Sequence, residues 1–428
     1  MSRVHALAGV VLALAVAAGL AAPVASQGEI SKDDRALYGQ MLEDLEKDLR
    51  ENYYDKAFHG LDLAGIFRAA AGKLAAAKTT AEAVDIVSNT LFSLDDSHTS
   101  FIPPQRATKV DYGWTMAAVG DQVLEMKVDA GSGAEAAGLV PGDQVLGINR
   151  YRVTRENLWQ IRHYYRIVRP QAQQHLTVRK PDGAERVFDV RSRTEKRPVI
   201  QISDAIDDAV DEARRGADTS EQVEPGILVW RMRAFRDPDG IAPFVRKARD
   251  ARGLVLDLRG NGGGLLDGLK ALVGWTFDRE IHVMTRIGRK GERREVAKPR
   301  RNPFLGKLVV LVDSRSASAA ECFARTVQIE KRGVVLGDRT AGMVMTSEVF
   351  LHDFGLGAST FYGASVTISD TRMSDGGRLE KVGVTPDDLL LPAPADLAAR
   401  RDPVLARAVA MLGGSLTPEQ AGALFPPL

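Results

Sequence analysis

The sequence predicts a mixed α/β protein in three parts: a helical lead-in, a β-rich middle, and a core in which strands and helices alternate. Three observations carry this. Across residues 31–92 apolar positions recur at helical spacing, as in Leu42, Leu45 and Leu49, or Ala64, Phe67 and Ala71. Short strand signals take over between about 108 and 192, at 123–128, 146–148 and 176–178. From Gly226 onward, apolar strands at 227–230, 254–258, 308–312 and 334–336 alternate with helical stretches such as 241–249 and 319–330, the order of an α/β core.

The expected units follow from composition shifts along the 428 residues. Arg3, the apolar run 6–22 and the small residues Val24-Ala25-Ser26 before Gln27 make 1–26 a signal peptide. That run of roughly 17 residues is shorter than the ~20 of a spanning helix. No cysteine follows it for lipid attachment, and no later stretch is apolar enough to span, so the expected location is exported, either periplasmic or secreted. Residues 27–107 form the helical domain, closing on Asp95-Asp96-Ser97-His98-Thr99-Ser100 and the helix-stopping Pro103-Pro104. Residues 108–192 form the β-rich domain and 196–393 the core. An acid-rich segment at 203–225 reads as solvated helix and loop joining the two, and 394–428 as a helical tail.

Bulk chemistry narrows the function. A formal charge of +1 offers no general attraction to nucleic acid. The basic run at 286–301 lacks interleaved aromatics and reads as an exposed loop or edge hairpin. The single cysteine, Cys322, excludes an intrachain disulfide or a thiolate metal cluster, and it reads as a small buried residue. No H-E-x-x-H, G-x-S-x-G or S-x-x-K pattern occurs.

Two turns remain as sites for chemistry. After the strand at 308–312 comes Asp313-Ser314-Arg315-Ser316-Ala317-Ser318-Ala319-Ala320-Glu321, a serine-rich strand-to-helix junction. Backbone N–H groups and the positive end of the helix dipole there suit a developing oxyanion. Plain helix capping by Ser316 or Ser318 is the simpler use of such a turn. The strand at 254–258 runs into Arg259-Gly260-Asn261-Gly262-Gly263-Gly264-Leu265, which fits neither G-x-G-x-x-G nor a P-loop. Its glycines let backbone N–H groups approach a substrate carbonyl.

Leu258-Arg259-Gly260-Asn261-Gly262-Gly263-Gly264, Ser316-Ala317-Ser318-Ala319-Ala320-Glu321 and Gly383-Val384-Thr385-Pro386-Asp387 resemble, in order, the signatures of C-terminal processing (tail-specific) serine peptidases. Likewise Ala134-Glu135-Ala136-Ala137-Gly138-Leu139-Val140-Pro141-Gly142-Asp143 resembles a PDZ domain, which that family inserts before its core. The resemblance spans about 30–392. It implies a core built as a spiral of ββα units (ClpP/crotonase-like), with a helical lead-in and an inserted PDZ-like β-rich domain. It makes Ser318 the nucleophile, with its own N–H or that of Ala319, together with Gly263, holding the oxyanion. The peptide-binding loop of the PDZ-like domain falls at Tyr112-Gly113-Trp114-Thr115.

Where much of the family places a catalytic lysine, Gly337-Asp338-Arg339-Thr340-Ala341-Gly342-Met343 ends in Met343, whose thioether is no base. A branch resembling tricorn protease uses histidine and glutamate instead. Ser97-His98, ahead of the β-rich domain, and Glu380 fall where that branch has them. The expected constellation is Ser318 nucleophile, His98 base, and Glu380 in support either directly or through Ser97, with Asp375 and Asp387 as acidic rivals. The chain is expected to hydrolyse peptide bonds of polypeptides captured by their C-termini, without cofactor or metal, nucleic-acid partner, or membrane span after signal removal. Self-association stays open. The alternative is a non-catalytic peptide- or apolar-ligand-binding protein on the same fold.

Overall fold

The computed structural model describes residues 29–104, 108–196, 218–354 and 360–425; the expected signal segment, and the acid-rich segment up to 217, lie outside the described residues. The chain begins with α1 (Lys32–Asn52), α2 (Leu63–Ala76), α3 (Thr80–Phe92) and a short strand β1 (Ser100–Ile102). Ser31, Asp62 and Thr79 cap the three helices by accepting the N–H three residues on.

The β-rich unit follows: β2 (Thr108–Asp111), β3 (Trp114–Val119), β4 (Gln122–Val128), α4 (Gly133–Ala137), β5 (Gln144–Ile148), β6 (Tyr151–Arg152), α5 (Leu158–His163), β7 (Gln173–Arg179), β8 (Glu185–Arg191) and β9 (Arg193–Lys196). Gly138, at φ 90°, ends α4 in the left-handed conformation glycine permits. The sheet runs β3-β4-β5-β7-β8 with β6 on β5. β2 pairs antiparallel with β9, so the chain enters and leaves this unit side by side.

The core contains β10 (Thr219–Glu224), β11 (Ile227–Arg231), α6 (Pro238–Ala248), β12 (Gly253–Asp257), α7 (Leu266–Thr276), β13 (Ile281–Gly288), β14 (Gly291–Ala297), β15 (Lys307–Val312), α8 (Ala319–Ile329), β16 (Val334–Gly337), β17 (Thr346–Phe354), β18 (Thr360–Met373) and β19 (Asp388–Leu389). The helices α9 (Pro394–Ala398), α10 (Pro403–Met411) and α11 (Pro418–Leu424) complete it. The main sheet has the order β10-β11-β12-β15-β16-β19, all parallel except β10. Its central strands read as unbroken apolar runs because both faces are covered. Trp230, Leu256 and Val310 face α6–α8, while Val229, Val255 and Val309 face α10 and α11.

Thr219–Glu224 corrects one expectation. Within the segment read as helix and loop, these polar residues form an edge strand, which needs no apolar face toward solvent. The basic run forms the edge hairpin β13–β14. Apart from that hairpin, the second, antiparallel sheet to which it belongs, of order β1-β18-β13-β14 with β17 on β18, carried no clear sequence signal. It sews the lead-in to the core: Ser100 pairs with Ser365, and Phe101 shares a core with Leu45, Leu91, Tyr362 and Val366. Among the described residues no helix is long and apolar enough to cross a membrane.

Candidate active site

The parallel sheet delivers its loops to one edge, the carboxyl ends of β11, β12, β15 and β16, where open α/β sheets bind ligands. A cleft of about 930 Å³ lies there, walled on the opposite side by α5 and on the core side by Gly260, Gly262, Ala317, Met343 and Glu380.

Ser316 and Ser318 separate cleanly. Ser316 is fully buried; its hydroxyl donates to Leu258 O (2.7 Å) and accepts from Asp313 N (3.0 Å), tying the end of β15 to β12. Ser318 stands at φ 55°, ψ −118°, half-buried at the start of α8. An ordinary N-cap has extended dihedrals, whereas a strained strand-to-helix turn is the geometry that exposes a nucleophilic hydroxyl. Gly263 lies so close that a Cβ on it would come within 2.6 Å of the Ser318 Cβ, and its φ of 97° also calls for glycine.

Glu321 holds this turn. Its buried carboxylate accepts from Ser318 N (3.1 Å), Gly342 N (2.8 Å), Met343 N (2.8 Å) and the Thr340 hydroxyl. Burial pushes its pKa up to about 7 against the pull of those four donors. Glutamine in its place presents an amide N–H₂ to backbone donors, leaving about two of them unpaired at ~1–3 kcal/mol each. Glu321→Gln should therefore unfold at measurably lower denaturant concentration and lose about 10- to 100-fold in kcat/KM, since displacement near a reacting centre is costly. Unchanged values in both measurements would show that the four bonds do not set the turn.

Ser97, His98 and Glu380 meet on the other side of the same loop. Glu380 accepts from Ser97 N (3.0 Å), the Ser97 hydroxyl (3.0 Å) and Val344 N (3.0 Å), and Ser97 Oγ lies 2.6 Å from His98 Nδ1. A hydroxyl has one proton. Given to the ionised Glu380, it leaves Ser97 Oγ to accept from Nδ1–H, so His98 keeps a lone pair on Nε2. The geometry therefore runs from Glu380 through Ser97. The rivals are engaged elsewhere, Asp375 with Arg325 and Asp387 with Gln328 and Val335 N. Asp96 fixes the turn, accepting from His98 N (2.9 Å), Thr99 N (2.7 Å) and Tyr53 OH (2.8 Å). Burial pulls His98 down to about 4, opposed by Asp96, and burial raises Glu380.

Two consecutive residues bridge the Ser318 turn and this group. Met343 O accepts from Ser318 N at 2.8 Å, and Val344 N donates to Glu380. No hydrogen bond joins Ser318 to His98 among the described residues. Of the expected oxyanion donors, Ser318 N is thus engaged, and Gly263 N donates to Asn261 Oδ1 at 2.8 Å. Ala319 N is the first N–H of α8 and has no intrahelical acceptor. Buried Asn261 also bonds Met232 O through its amide (2.9 Å) and Ala317 N through its carbonyl (2.9 Å), stapling both loops together. Cys322 is buried, with its thiol pushed up to about 12 by burial and by Glu321, so it is no rival nucleophile.

Tyr112, Trp114 and Thr115 lie in the β-rich unit, lining a small cleft between β3 and α5 with Ile161 and Gln174. Trp114 Nε1, Thr115 Oγ1 and Gln174 Oε1 are buried there without a hydrogen-bond partner among the described residues. Gly113, at φ 69°, packs against Ser132. Arg155 ties this unit to the loop after β16, donating to Gly120 O (2.7 Å), Asp338 (3.0 Å) and Arg339 O. Sequence reading missed Asn261, Glu321 and Arg155 as organisers. Only Glu321 had a signal, the three-residue spacing from Ser318 of a capping box. Among the described residues no group of three or more His, Cys, Asp or Glu is placed to hold a metal ion.

Residues 226–389 match the family model of Peptidase family S41, and residues 34–92 that of the tricorn protease C1 domain. A C-terminal processing peptidase, chloroplastic, of Tetradesmus obliquus is 25% identical over 363 residues, covering 81% of this chain and 76% of its own. Mature CPAF superposes with a TM-score of 0.64 at 15% identity, over 86% of this chain and 95% of its own. A photosystem II D1 C-terminal processing protease gives 0.53 at 20% identity, over 91% and 100%. The two solved structures share the mixed α/β fold of this chain.

Proposed function

From the premise that this chain, with its Peptidase family S41 core, is a serine-type peptidase, we propose that it is an endopeptidase of exported polypeptides using Ser318, His98, Ser97 and Glu380. The observation that carries this is the Glu380–Ser97–His98 relay, which leaves the imidazole its Nε2 lone pair. As Ser318 Oγ bonds to the scissile carbonyl carbon, its proton passes to His98 Nε2 and the carbonyl π electrons move to oxygen. That oxygen faces Ala319 N–H at the positive end of α8, and Gly263 N–H joins it by leaving Asn261. Collapse expels the amine, which takes the proton from His98. Water, deprotonated by the same base, then releases the acyl group. Met343 needs no part in proton transfer. The β-rich unit acts as a PDZ-like receptor: a substrate C-terminus adds a strand beside β3, its carboxylate at Tyr112-Gly113-Trp114-Thr115. Arg155 carries its position to the catalytic loop.

The test is digestion of an unfolded protein by the purified chain across pH. His98 sits near 4 in the folded state, below its ordinary 6.5. It therefore stays neutral, and a competent base, well into acid. The limb that His98 contributes to kcat/KM, which reports the free enzyme, is expected near pH 4–5, separate from a partial step near 7 as Glu321, which holds the Ser318 turn, takes up a proton. A limb at 6–7 that persists in Glu321→Gln would mean a solvent-exposed base other than His98. Absence of cleavage by any form, even with C-terminal peptides added, would leave only the binding-protein reading.

A further inference from the structure

The cleft holds more positive charge than the proposed mechanism uses. Arg155 pairs with Asp338 and Arg315 with Asp313. Arg233 and Arg339 also line the cleft, both half-buried, and neither guanidinium has a hydrogen bond or ion pair among the described residues. The carboxylates nearest Arg233 are committed: Asp257 to Arg231 and Arg259, and Asp218 to the backbone N–H of Arg233 itself (2.9 Å). Burial, then repulsion from Arg231, pulls Arg233 below its ordinary range, against the opposing pull of Asp257 and Asp218. The acid facing Arg339 is Glu156, which is held by its own backbone and by Thr154. A guanidinium is a planar fork of five donors that matches a carboxylate in bidentate fashion. Two such forks, half-buried with no hydrogen bond to the protein, keep donors facing the cleft that the carboxylates of a ligand can take over from water.

We propose that the cleft selects polypeptides carrying acidic side chains on both sides of the cleaved bond, one held by Arg233 and the other by Arg339. This rests on the peptidase reading above and names its substrate class. The sheet order sets the spacing. Arg233 follows β11, two strands from the β15 that delivers Ser318, and Arg339 follows β16, one strand to the other side. Strands lie about 4.8 Å apart and an extended peptide advances about 3.3 Å per residue. An acidic residue about three positions from the cut on one side, and one about one or two positions away on the other, would meet the two guanidinium groups.

The experiment measures binding separately from chemistry. The Ser318→Ala chain is titrated by fluorescence anisotropy with extended peptides in which glutamate or glutamine is scanned across both sides of the cleavage site. Each favoured glutamate should tighten binding about tenfold over glutamine, the scale of one charge-assisted bidentate pair. The gain should shrink with added salt. Arg233→Gln should erase the preference at one position and Arg339→Gln at the other, while Arg→Lys at each site retains part of it. Circular dichroism checks that each variant is folded. Equal binding of glutamate and glutamine peptides, or a preference that survives both Gln substitutions, overturns the proposal. If the parent chain cleaves acidic and neutral peptides alike, the peptidase reading stands and this one falls. Arginine-dependent binding without hydrolysis by the parent has the reverse meaning.

Discussion

Ser318→Ala is expected to abolish peptide hydrolysis, lowering kcat by about 10⁵-fold or more, the scale for removing the nucleophile of an acting unit. His98→Ala should do nearly the same. The double variant should be no worse than either, because the first loss already disables the unit. Stability gives a second readout, independent of the assay. The turn holds Ser318 at a positive φ that a non-glycine residue adopts only under strain, on the order of 1–3 kcal/mol. Alanine keeps that strain, so Ser318→Ala should unfold at the parent's midpoint. Glycine relieves it, so Ser318→Gly should be inactive yet more stable by about 1 kcal/mol, somewhat offset by the extra freedom glycine gives the unfolded chain. An inactive, stabilised glycine variant marks strain held for function. Full activity in Ser318→Ala would remove Ser318 from the mechanism. A destabilised Ser318→Gly would mean that the hydroxyl or Cβ matters for packing and that the turn stores no strain.

Some of this was legible in the sequence for physical reasons. The strands β11, β12 and β15 were readable because both faces are buried, so no polar residue breaks the run. Ser318, His98 and Glu380 were singled out through the family resemblance of their short segments, and the fold brings Ser97, His98 and Glu380 into one hydrogen-bonded group. What escaped was whatever depends on backbone groups meeting across the chain. Asn261 and Glu321 act by accepting particular N–H groups, and no residue pattern says which N–H will face them. Arg155 meets Asp338 from 183 residues away. The strand β18 escaped because buried Thr367, Ser369, Asp370 and Thr371 interrupt its apolar alternation. Of these, Thr367 bonds Asp96 and Thr99 of the lead-in while the others pair along β13, so local hydrophobicity gave no guide to this strand.

Asp257→Ala should be the most destabilising single change in the core, by about 3–5 kcal/mol, because it strands buried cations. Asp257 is fully buried at the end of β12, directly before the glycine loop. It accepts from Arg231 Nε (3.0 Å), Arg259 Nε (2.9 Å) and Arg259 Nη2 (2.9 Å). Burial by itself would raise its pKa, but Arg259 and Arg231 outweigh burial and hold it well below the usual carboxylate range. A depressed folded-state pKa contributes stability that is present above the unfolded value near 4 and lost as pH falls through the folded value. The parent should therefore lose this contribution only in strong acid, while Asp257→Ala lacks it at every pH, flattening the acid side of the stability curve. Arg259 also grips Asp402 through two bonds of 2.9 and 2.7 Å, and Asp402 caps α10. Arg231 lies 4.4 Å over the Phe425 ring. The tail helices thus brace the glycine loop through two guanidinium groups. Loss of Asp257 should loosen Gly263 beside Ser318 and lower kcat/KM together with stability, whereas Asp402→Ala, at a partly exposed site, should cost less of each. Denaturant unfolding and peptide turnover on the two variants measure both effects. An Asp257→Ala chain within about 1 kcal/mol of the parent would mean that the two arginines find other acceptors, and that the tail is only a cover for the sheet.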